Sequence, residues 1–317
     1  MEETFPRLLS FDPSQPPAVP RHAATVIVMR EAAPADGDGG ETGGSQLGGI
    51  EVFCVLRHQR SSFLGGAVVF PGGKVDPADG ADAWGGLTGE PDPRGTAMTE
   101  AGGVTPRTLA VAACRETLEE GRILPVDPPL ADDEVDALRR EVASGEVALA
   151  AALARRGRRL AIERLIPWAR WITPEAEARR FDARFFLLEL PAGQVGRHDE
   201  HETTHSFWGR PAAILERAAR GEIFLAPPTT RTLELLAPVP DVRRARALAE
   251  QQSLRPICPL FVPDDRAPFL ALPGDPTHPV RERRVAGATR FVLRDGRFLG
   301  EDPPQLDGGP DGRRPVP

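Results

Sequence analysis

The chain has 317 residues, a hydrophobic content of 40% and a formal net charge of −7. This length fits one large domain or two modest ones, and the apolar content excludes an intrinsically disordered chain. The acidic balance argues against broad nucleic-acid binding, which needs a basic surface. The 3 cysteines are too few and too scattered for a disulfide framework or a thiolate metal site.

The first fifty residues alternate between loose and strand-like segments. Residues 1–21 are rich in proline and predict a flexible arm, and residues 23–29, which are apolar or β-branched, predict a strand. Gly, Asp, Ala and Ser dominate residues 31–49, which predicts a flexible loop. A second strand over residues 50–56 would then form a hairpin with the first one through this long connection.

A segment rich in glycine and proline precedes the most regular helical pattern of the chain. Residues 80–106 predict an excursion that folds over the site and can be shortened without unfolding the protein. A helix is predicted over residues 108–120, with an apolar stripe that includes Leu109, Ala112 and Leu118.

The following elements mix strands with helices, which favours an α/β/α sandwich around a mixed sheet. Strands are predicted at residues 165–172, 184–190 and 203–208, and helices at 132–156 (interrupted at Ser144 and Gly145), 211–220 and 229–236.

The composition shifts after residue 240. Short strand-like runs and the pair Asp295 and Gly296, a hairpin signal, predict a small β extension over residues 241–301. We expect edge packing or a dimer contact from this extension, and a disordered tail over residues 302–317.

Three carboxylates lie on one face of the predicted helix. Glu116, Glu119 and Glu120 stand at i, i+3 and i+4, so the helix crowds three negative charges together. Such crowding is unfavourable without a compensating cation, and an all-oxygen donor set suits Mg²⁺ or Mn²⁺. Arg115 stands four residues before Glu119 and is expected to orient the cluster. Taken alone, the pattern also fits a solvated acidic helix face.

The helix and a segment upstream together resemble the Nudix box, the signature of the Nudix hydrolases. Gly73 fits the opening glycine of the box, and Asp79 stands where the first glutamate is usual. The second half of the box is carried by Arg115, Glu116, Glu119, Glu120 and Ile123.

The chain departs from the family pattern at three places: the spacer inside the box, one aliphatic position and the end of the helix. Residues 80–114 occupy a spacer that is much shorter in the family, so the box is interrupted. Thr117 stands on an aliphatic position, and Arg122 replaces a glycine. Gly121 is expected to end the helix in a left-handed conformation instead.

With its interrupted box, the chain resembles the branch of the family that contains the peroxisomal acyl-coenzyme A diphosphatases. Residues 56–73, 171–186 and 208–229 also resemble that branch. The resemblance implies a Nudix-type α/β/α sandwich over residues 22–240. It further implies metal-dependent hydrolysis of coenzyme A or acyl-coenzyme A to adenosine 3′,5′-bisphosphate and a 4′-phosphopantetheine derivative. NADH, ADP-ribose or another nucleoside diphosphate derivative is the alternative substrate, and a non-catalytic Nudix-fold binding module is a further alternative.

The implied site assigns metal binding and proton transfer to carboxylates. Glu116, Glu119 and Glu120 would hold Mg²⁺ or Mn²⁺, with Arg115 orienting them. Glu116 or the more distant Glu202 would accept the proton of the attacking water.

The resemblance implies two kinds of substrate contact, from glycine backbone and from cationic side chains. Gly72 and Gly73 are expected to form a turn at which the backbone approaches the substrate closely. Lys74, the only lysine of the chain, is a candidate phosphate contact, as are Arg57 and Arg180. The arginines considered for a 3′-phosphate are Arg57, Arg60, Arg180 and Arg184.

A second motif, His201-Glu202-Thr203-Thr204-His205, matches the zinc protease signature. That signature needs a helix, whereas two adjacent β-branched threonines favour a strand. On a strand the two histidines would be about 13 Å apart, which is too far for one metal ion. The segment is more easily interpreted as a loop opposite the box.

No apolar run approaches the roughly 20 residues that span a bilayer, and the first residues do not resemble a signal peptide. Residues 314–317 do not form a peroxisomal address of the Ser-Lys-Leu type. We therefore expect a cytoplasmic protein that binds a small-molecule diphosphate, without nucleic acid or membrane, and leave a homodimer open.

Overall fold

The computed structural model describes residues 16–33, 48–58, 66–145, 147–197, 203–264 and 266–304. Within these ranges the helices are α1 (Pro106–Gly121), α2 (Asp132–Ala143), α3 (Leu149–Arg155), α4 (Pro211–Ala219), α5 (Pro227–Leu236) and α6 (Val242–Glu250). The strands are β1 (Arg21–Glu31), β2 (Ile50–Arg57), β3 (Val68–Val69), β4 (Gly72–Lys74), β5 (Val126–Asp127), β6 (Arg159–Leu160), β7 (Ile166–Ile172), β8 (Phe181–Glu189), β9 (Thr203–Gly209), β10 (Pro256–Ile257), β11 (Leu260–Val262), β12 (Phe269–Ala271), β13 (Arg290–Arg294) and β14 (Arg297–Glu301).

One large mixed sheet organises the molecule. Its strand order is β10-β7-β8-β1-β2-β3, with β4 paired to β1 and β9 paired to β2. The pairs β1–β8 and β10–β7 are parallel, and the other pairs are antiparallel. Strands β1 and β2 pair as the predicted hairpin, with Met29 opposite Val52. Residues 34–47 of their connection lie outside the described residues.

Both faces of the large sheet are covered, because side chains of β1 alternate between two cores. Val26 and Val28 pack with α1, α2 and α3 on one face. Ile27 and Met29 pack with α4, α5 and α6 on the other. A strand buried on both faces is a nearly continuous apolar run, as residues 23–29 are. The predicted α/β/α sandwich is confirmed.

Helix α1 begins with a side-chain cap and a proline. The hydroxyl of Thr105 accepts a hydrogen bond from the backbone N–H of Thr108 at 3.1 Å, and Pro106 occupies the first turn. The predicted apolar stripe, which includes Leu109 and Leu118, is buried under the sheet. The break at Ser144 and Gly145 separates α2 from α3, as predicted.

The end of α1 differs from the expectation. Gly121 is helical, and Arg122 adopts the left-handed conformation at φ 53° and ψ 39°. A Cβ atom on Gly121 would lie 3.0 Å from Cε1 of Phe53, so close packing requires this glycine. The hydroxyl of Thr117 donates to the carbonyl of Ala113 at 2.7 Å, which satisfies a polar group on an aliphatic position.

The insertion at residues 80–106 belongs to the core, so its prediction as an excursion over the site is wrong. Trp84 and Met98 are buried among side chains of α1, α2 and α3. The indole of Trp84 donates to the carbonyl of Ala78 at 3.0 Å. Buried Arg184 donates to the carbonyl of Met98 at 3.0 Å, and Arg170 pairs with Glu100 at 2.8 Å. Pro93 and Gly95 of this segment lie in a short 3₁₀ turn.

The chain after residue 240 forms the small β extension and also completes the large sheet. Strands β11 to β14 make a four-stranded antiparallel sheet. Leu270 and Phe291 of this sheet pack into the core under α5. Helix α6 and strand β10, which the sequence analysis did not predict, pack on and extend the large sheet. No helix in the described ranges is long and apolar enough to span a membrane.

Replacement of Trp84 tests the buried insertion. We expect Trp84→Ala to lower the free energy of unfolding by about 3–5 kcal/mol, because it leaves a cavity in the core. The measurement is urea unfolding followed by circular dichroism. The control is Glu90→Ala, whose exposed carboxylate lies 3.8 Å from Arg107 and should matter by less than about 0.5 kcal/mol. Equal stability of both variants would place the insertion outside the cooperative core.

Candidate active site

A cavity of about 490 Å³ lies between the large sheet, the start of α5 and the small sheet. Strands β4, β1, β8 and β7 contribute its floor, and the carboxylate face of α1 contributes one end. Residues 80–106 contribute nothing to its lining. The predicted residues that line it are Arg57, Gly72, Gly73, Lys74, Glu116, Glu119 and Glu120.

The guanidinium of Arg115 forms most of the hydrogen bonds among the side chains at the acidic end of the cavity. Its Nε and Nη2 donate to the carboxylate of Asp79 at 2.9 and 3.0 Å, and Nη2 also donates to the carbonyl of Lys74 at 2.8 Å. Its Nη1 donates to Glu116 at 2.8 Å and to Glu119 at 3.2 Å. One cation therefore ties the segment after β4 to two of the three box glutamates and orients them.

Burial and charge act together on Glu116. Its burial, together with the neighbouring Glu119 and Glu120, raises its pKa from 4.5 to about 7 against the opposing effect of Arg115. Burial lowers the pKa of Arg115. The hydrogen bond to Asp79 and the negative charge of Glu116 outweigh this effect, so the pKa of Arg115 lies above its usual range. The acidic end therefore contains one firmly charged cation and a carboxylate that is costly to ionise.

Glycines bring β4 against both the helix and strand β1. Gly72 and Gly73 lie in β4, paired with Thr25 and Ala24, and the prediction of a turn at these residues is wrong. The backbone N–H of Gly72 donates to Glu120 at 2.9 Å. A Cβ atom on Gly73 would lie 2.5 Å from the carboxylate of Glu116. The predicted close approach of the backbone therefore occurs, with the box glutamates as the neighbours.

Arg57 and Lys74 place two cations at the cavity, whereas Arg180 lies elsewhere. Among the described residues, no carboxylate pairs with the side chain of Arg57 or Lys74. Arg180 is buried away from the cavity and donates to the carbonyls of Thr173 and Ala18 at 3.0 and 2.9 Å. Its predicted substrate contact is corrected to a structural role, because these bonds tie residue 18 to the end of β7.

Other predicted residues fall outside the cavity or outside the described ranges. Arg184 is buried and bonded to Asp182 at 2.9 Å. Arg60, His201 and Glu202 lie outside the described residues. His205 lies in strand β9, so the second half of the zinc protease motif is extended rather than helical. This backbone excludes the helical arrangement of ligands that the motif needs.

Several cavity residues were missed from the sequence. Glu177, on the loop after β7, lines the cavity, and burial raises its pKa to about 7. Pro259, Leu270 and Phe298 come from the small β extension, for which only edge packing or a dimer contact was expected. Short strand-like runs and a hairpin signal predicted strands in the extension, but they could not indicate which face of the small sheet meets the distant site.

The comparisons with known proteins agree with this fold. The family described as NUDT19 Nudix domain matches residues 20–236, and the chain therefore belongs to this Nudix hydrolase family. A crystal structure of a NUDIX hydrolase from Alicyclobacillus acidocaldarius is similar to this chain, with a TM-score of 0.57 and 31% identity. The similarity covers 72% of this chain and 96% of that one.

Two curated relatives are acyl-coenzyme A diphosphatases NUDT19. The chain is 29% identical to the Gallus gallus protein over 253 residues, and the match covers 66% of this chain and 65% of that protein. It is 26% identical to the Xenopus laevis protein over 271 residues, covering 72% and 71%. The chain thus spans about two thirds of the length of each relative.

The raised pKa of Glu116 predicts a pH dependence of stability without metal. The folded protein binds this proton more tightly than the unfolded chain does, since the pKa rises from 4.5 to about 7. The associated stability is therefore complete below about pH 4.5 and is lost as the pH rises through about 7. We expect Glu116→Gln to remove this loss and to stabilise the metal-free protein at pH 8 by up to about 3 kcal/mol.

The measurement is urea unfolding in EDTA between about pH 5 and pH 8. Glu177→Gln is the matched comparison, because Glu177 titrates in the same window without an arginine partner among the described residues. Identical pH slopes for wild type and Glu116→Gln would contradict the buried, proton-binding state of Glu116.

Proposed function

We propose that the protein hydrolyses the diphosphate of coenzyme A or acyl-coenzyme A with the help of Mg²⁺ or Mn²⁺. The products would be adenosine 3′,5′-bisphosphate and a 4′-phosphopantetheine derivative. One observation carries the proposal: three box glutamates, a glycine strand and two cations without an ionic partner in the described ranges open onto one cavity with apolar walls. The two NUDT19 relatives, named for this activity, support it.

The donor set at the acidic end fits a hard divalent cation. Glu116, Glu119 and Glu120 are oxygen donors on adjacent turns of α1, and all three reach the cavity wall. In the described residues no three acidic, histidine or cysteine side chains form a ready metal cluster. Arg115 bonds to Glu116 and Glu119 in this arrangement and neutralises part of their charge. Bound there, a divalent cation would make water more acidic and neutralise charge on the phosphoryl oxygens.

The residues of the chain would divide the remaining work. Arg115, fixed by Asp79, holds Glu116 and Glu119 in place during the reaction. Glu116 and Glu177 are both cavity carboxylates whose pKa is raised to about 7, and Glu116, on the same helix face as Glu119 and Glu120, would accept the proton of the attacking water. Gly72 and Gly73 let β4 lie directly against Glu116 and β1, and they line the part of the cavity in which the diphosphate would bind. Arg57 and Lys74 would contact phosphate oxygens.

Neutralising single glutamates tests the metal site. We expect Glu119→Gln and Glu120→Gln each to lower kcat by at least about 100-fold, because each removes a charged oxygen donor from the site. Neither change removes apolar packing, so both variants should melt cooperatively at no lower temperature than the metal-free wild type. Asp133→Asn, an exposed carboxylate on α2, is the control. Wild-type activity in both glutamine variants would refute the assignment.

The 3′-phosphate of coenzyme A tests the substrate. We expect kcat/KM for coenzyme A to exceed that for 3′-dephospho-coenzyme A about tenfold, because a charge-assisted contact to phosphate contributes on the order of 1.5 kcal/mol. Arg57→Gln should reduce this ratio if Arg57 makes the contact. Arg243→Gln, an exposed arginine on α6, should leave it unchanged.

These rates are measured under saturating Mg²⁺ and again under Mn²⁺, with NADH and ADP-ribose in parallel. Equal rates for the two coenzyme A forms would show that the 3′-phosphate is not recognised. Faster cleavage of NADH or ADP-ribose would favour the alternative substrate class. If the protein shows no metal-dependent turnover on any of these diphosphates, it is a binding module.

A further inference from the structure

One carboxylate of the cavity takes no part in the proposed chemistry. Glu177 lies in the connection between β7 and β8, where its backbone N–H donates to the carbonyl of Pro174 at 3.1 Å. It lines the cavity and is partly buried. Within the described ranges, its side chain has neither a hydrogen bond nor an ion pair. A partly buried carboxyl group that faces a cavity without a partner is a candidate for contact with a ligand.

No described charge compensates that of Glu177. Burial alone raises the pKa of Glu177 to about 7. The charged residues of the same connection are Glu175, Arg179 and Arg180, and those of the cavity are Arg57, Lys74 and the three box glutamates. The small sheet adds only Pro259, Leu270 and Phe298 to the lining. Among the described residues, none of these charges shifts the pKa further, so Glu177 lies apart from the acidic end and from both cations.

The large sheet places Glu177 and the two cations on opposite sides of β1. Strands β2 and β4, which carry Arg57 and Lys74, pair with one edge of β1. Strand β8 pairs with the other edge, and β7 pairs with β8, so their connection lies on the opposite side. The glutamates of α1 lie against Gly72 and Gly73 of β4. The candidate metal site and both cations therefore share one side of β1, and Glu177 lies on the other.

A row with short side chains in its middle joins the two sides. Its members stand opposite one another in the order Lys74 of β4, Ala23 of β1, Ala183 of β8 and Trp171 of β7. Residues directly opposite each other share a face of the sheet, and all of these line the cavity. At about 4.8 Å between neighbouring strands, the row is about 14 Å long. The alanines leave space for a slender, extended chain between Lys74 and Trp171.

We propose that Glu177 binds the arm of the substrate opposite the nucleotide, which in coenzyme A is pantetheine, by donating a hydrogen bond to an amide carbonyl. This inference rests on the proposed function. With the diphosphate at the glutamates and the 3′-phosphate at Arg57, the nucleotide occupies the side of β1 that carries β2 and β4. The pantetheine arm then extends over Ala23 and Ala183 to the connection that carries Glu177. Glu177 thereby favours diphosphates with a neutral, amide-bearing arm.

The site favours the neutral carboxyl group of Glu177, which is the form that can donate a hydrogen bond. Ionisation has no cation to compensate it in the described part of the chain, and bound phosphates add negative charge to the cavity. Trp171, Pro174 and Phe181 line the cavity from β7, β8 and their connection. In these mostly apolar surroundings, an amide carbonyl of the substrate is a suitable acceptor for the carboxyl proton.

Binding of the two reaction products tests which arm Glu177 contacts. Calorimetry with Mg²⁺ gives the affinity of each product, and we expect Glu177→Ala to bind 4′-phosphopantetheine about tenfold more weakly than wild type at about pH 6, because one hydrogen bond is lost. Adenosine 3′,5′-bisphosphate should bind within about twofold of wild type. Glu175→Ala, which removes an exposed carboxylate of the same connection, is the control and should bind both products like wild type.

Equal affinity of wild type and Glu177→Ala for 4′-phosphopantetheine would overturn the inference. A loss confined to adenosine 3′,5′-bisphosphate would also overturn it, because the nucleotide would then lie at Glu177.

The pH dependence separates a hydrogen-bond donor from a residue that only supports the fold. Glu177→Gln keeps a donor that does not titrate, so its affinity for 4′-phosphopantetheine should equal that of wild type at about pH 6. As the pH rises through about 7, wild type loses the donor. We expect the ratio of the wild-type to the Gln affinity to fall about tenfold between about pH 6 and pH 9. The ratio cancels the titration of the ligand phosphate, and a constant ratio would contradict the donor role.

Steady-state kinetics distinguishes failure of this inference from failure of the proposed function. Loss of a contact made equally in the ground state and the transition state should raise KM for coenzyme A about tenfold in Glu177→Ala and leave kcat within about twofold. A large loss of kcat at unchanged KM would make Glu177 a catalytic base and overturn the binding role alone. Wild type without metal-dependent coenzyme A hydrolysis would refute the proposed function, whatever the product affinities.

Discussion

The ion pair between Arg115 and Asp79 is the interaction on which the site depends. Glu116, Glu119 and Glu120 would repel one another on α1, and Glu116 is buried enough to resist ionisation. Arg115 reduces that repulsion, and Asp79, itself buried, fixes the direction of the guanidinium. Because Asp79 follows β4 in the chain, the same ion pair attaches the glycine strand to the helix. An arginine suits this position since its planar fork can bond to several carboxylates at once.

The sheet converts this local arrangement into an elongated binding site. Pairing of β4 with β1 places Gly72 and Gly73 beside the glutamates without side chains in between. The parallel pairing of β1 with β8 then continues the floor towards β7, and Leu270 and Phe298 of the small sheet line the same cavity.

The sequence predicts what local patterns encode, and it misses what distant packing decides. The apolar, β-branched run of β1, the helical spacing of the glutamates and the Asp295–Gly296 hairpin signal are local, and all appear in the structure. The insertion was misjudged because glycine and proline suggest a loose loop, whereas Trp84 and Met98 anchor it in the core. Arg180 resembled a phosphate contact, but its guanidinium bonds to backbone carbonyls. A cytoplasmic location and a homodimer stay predictions.

Direct measurement of Mn²⁺ binding tests the central claim, that the carboxylates held by Arg115 form a divalent metal site. Free Mn²⁺ is followed by electron paramagnetic resonance as protein is titrated, with no substrate present. The account predicts saturable binding to the wild type and to Asp133→Asn, and binding at least about tenfold weaker to Glu120→Gln and to Asp79→Asn, which loses the partner that orients Arg115. Undiminished Mn²⁺ binding in both Glu120→Gln and Asp79→Asn would contradict it.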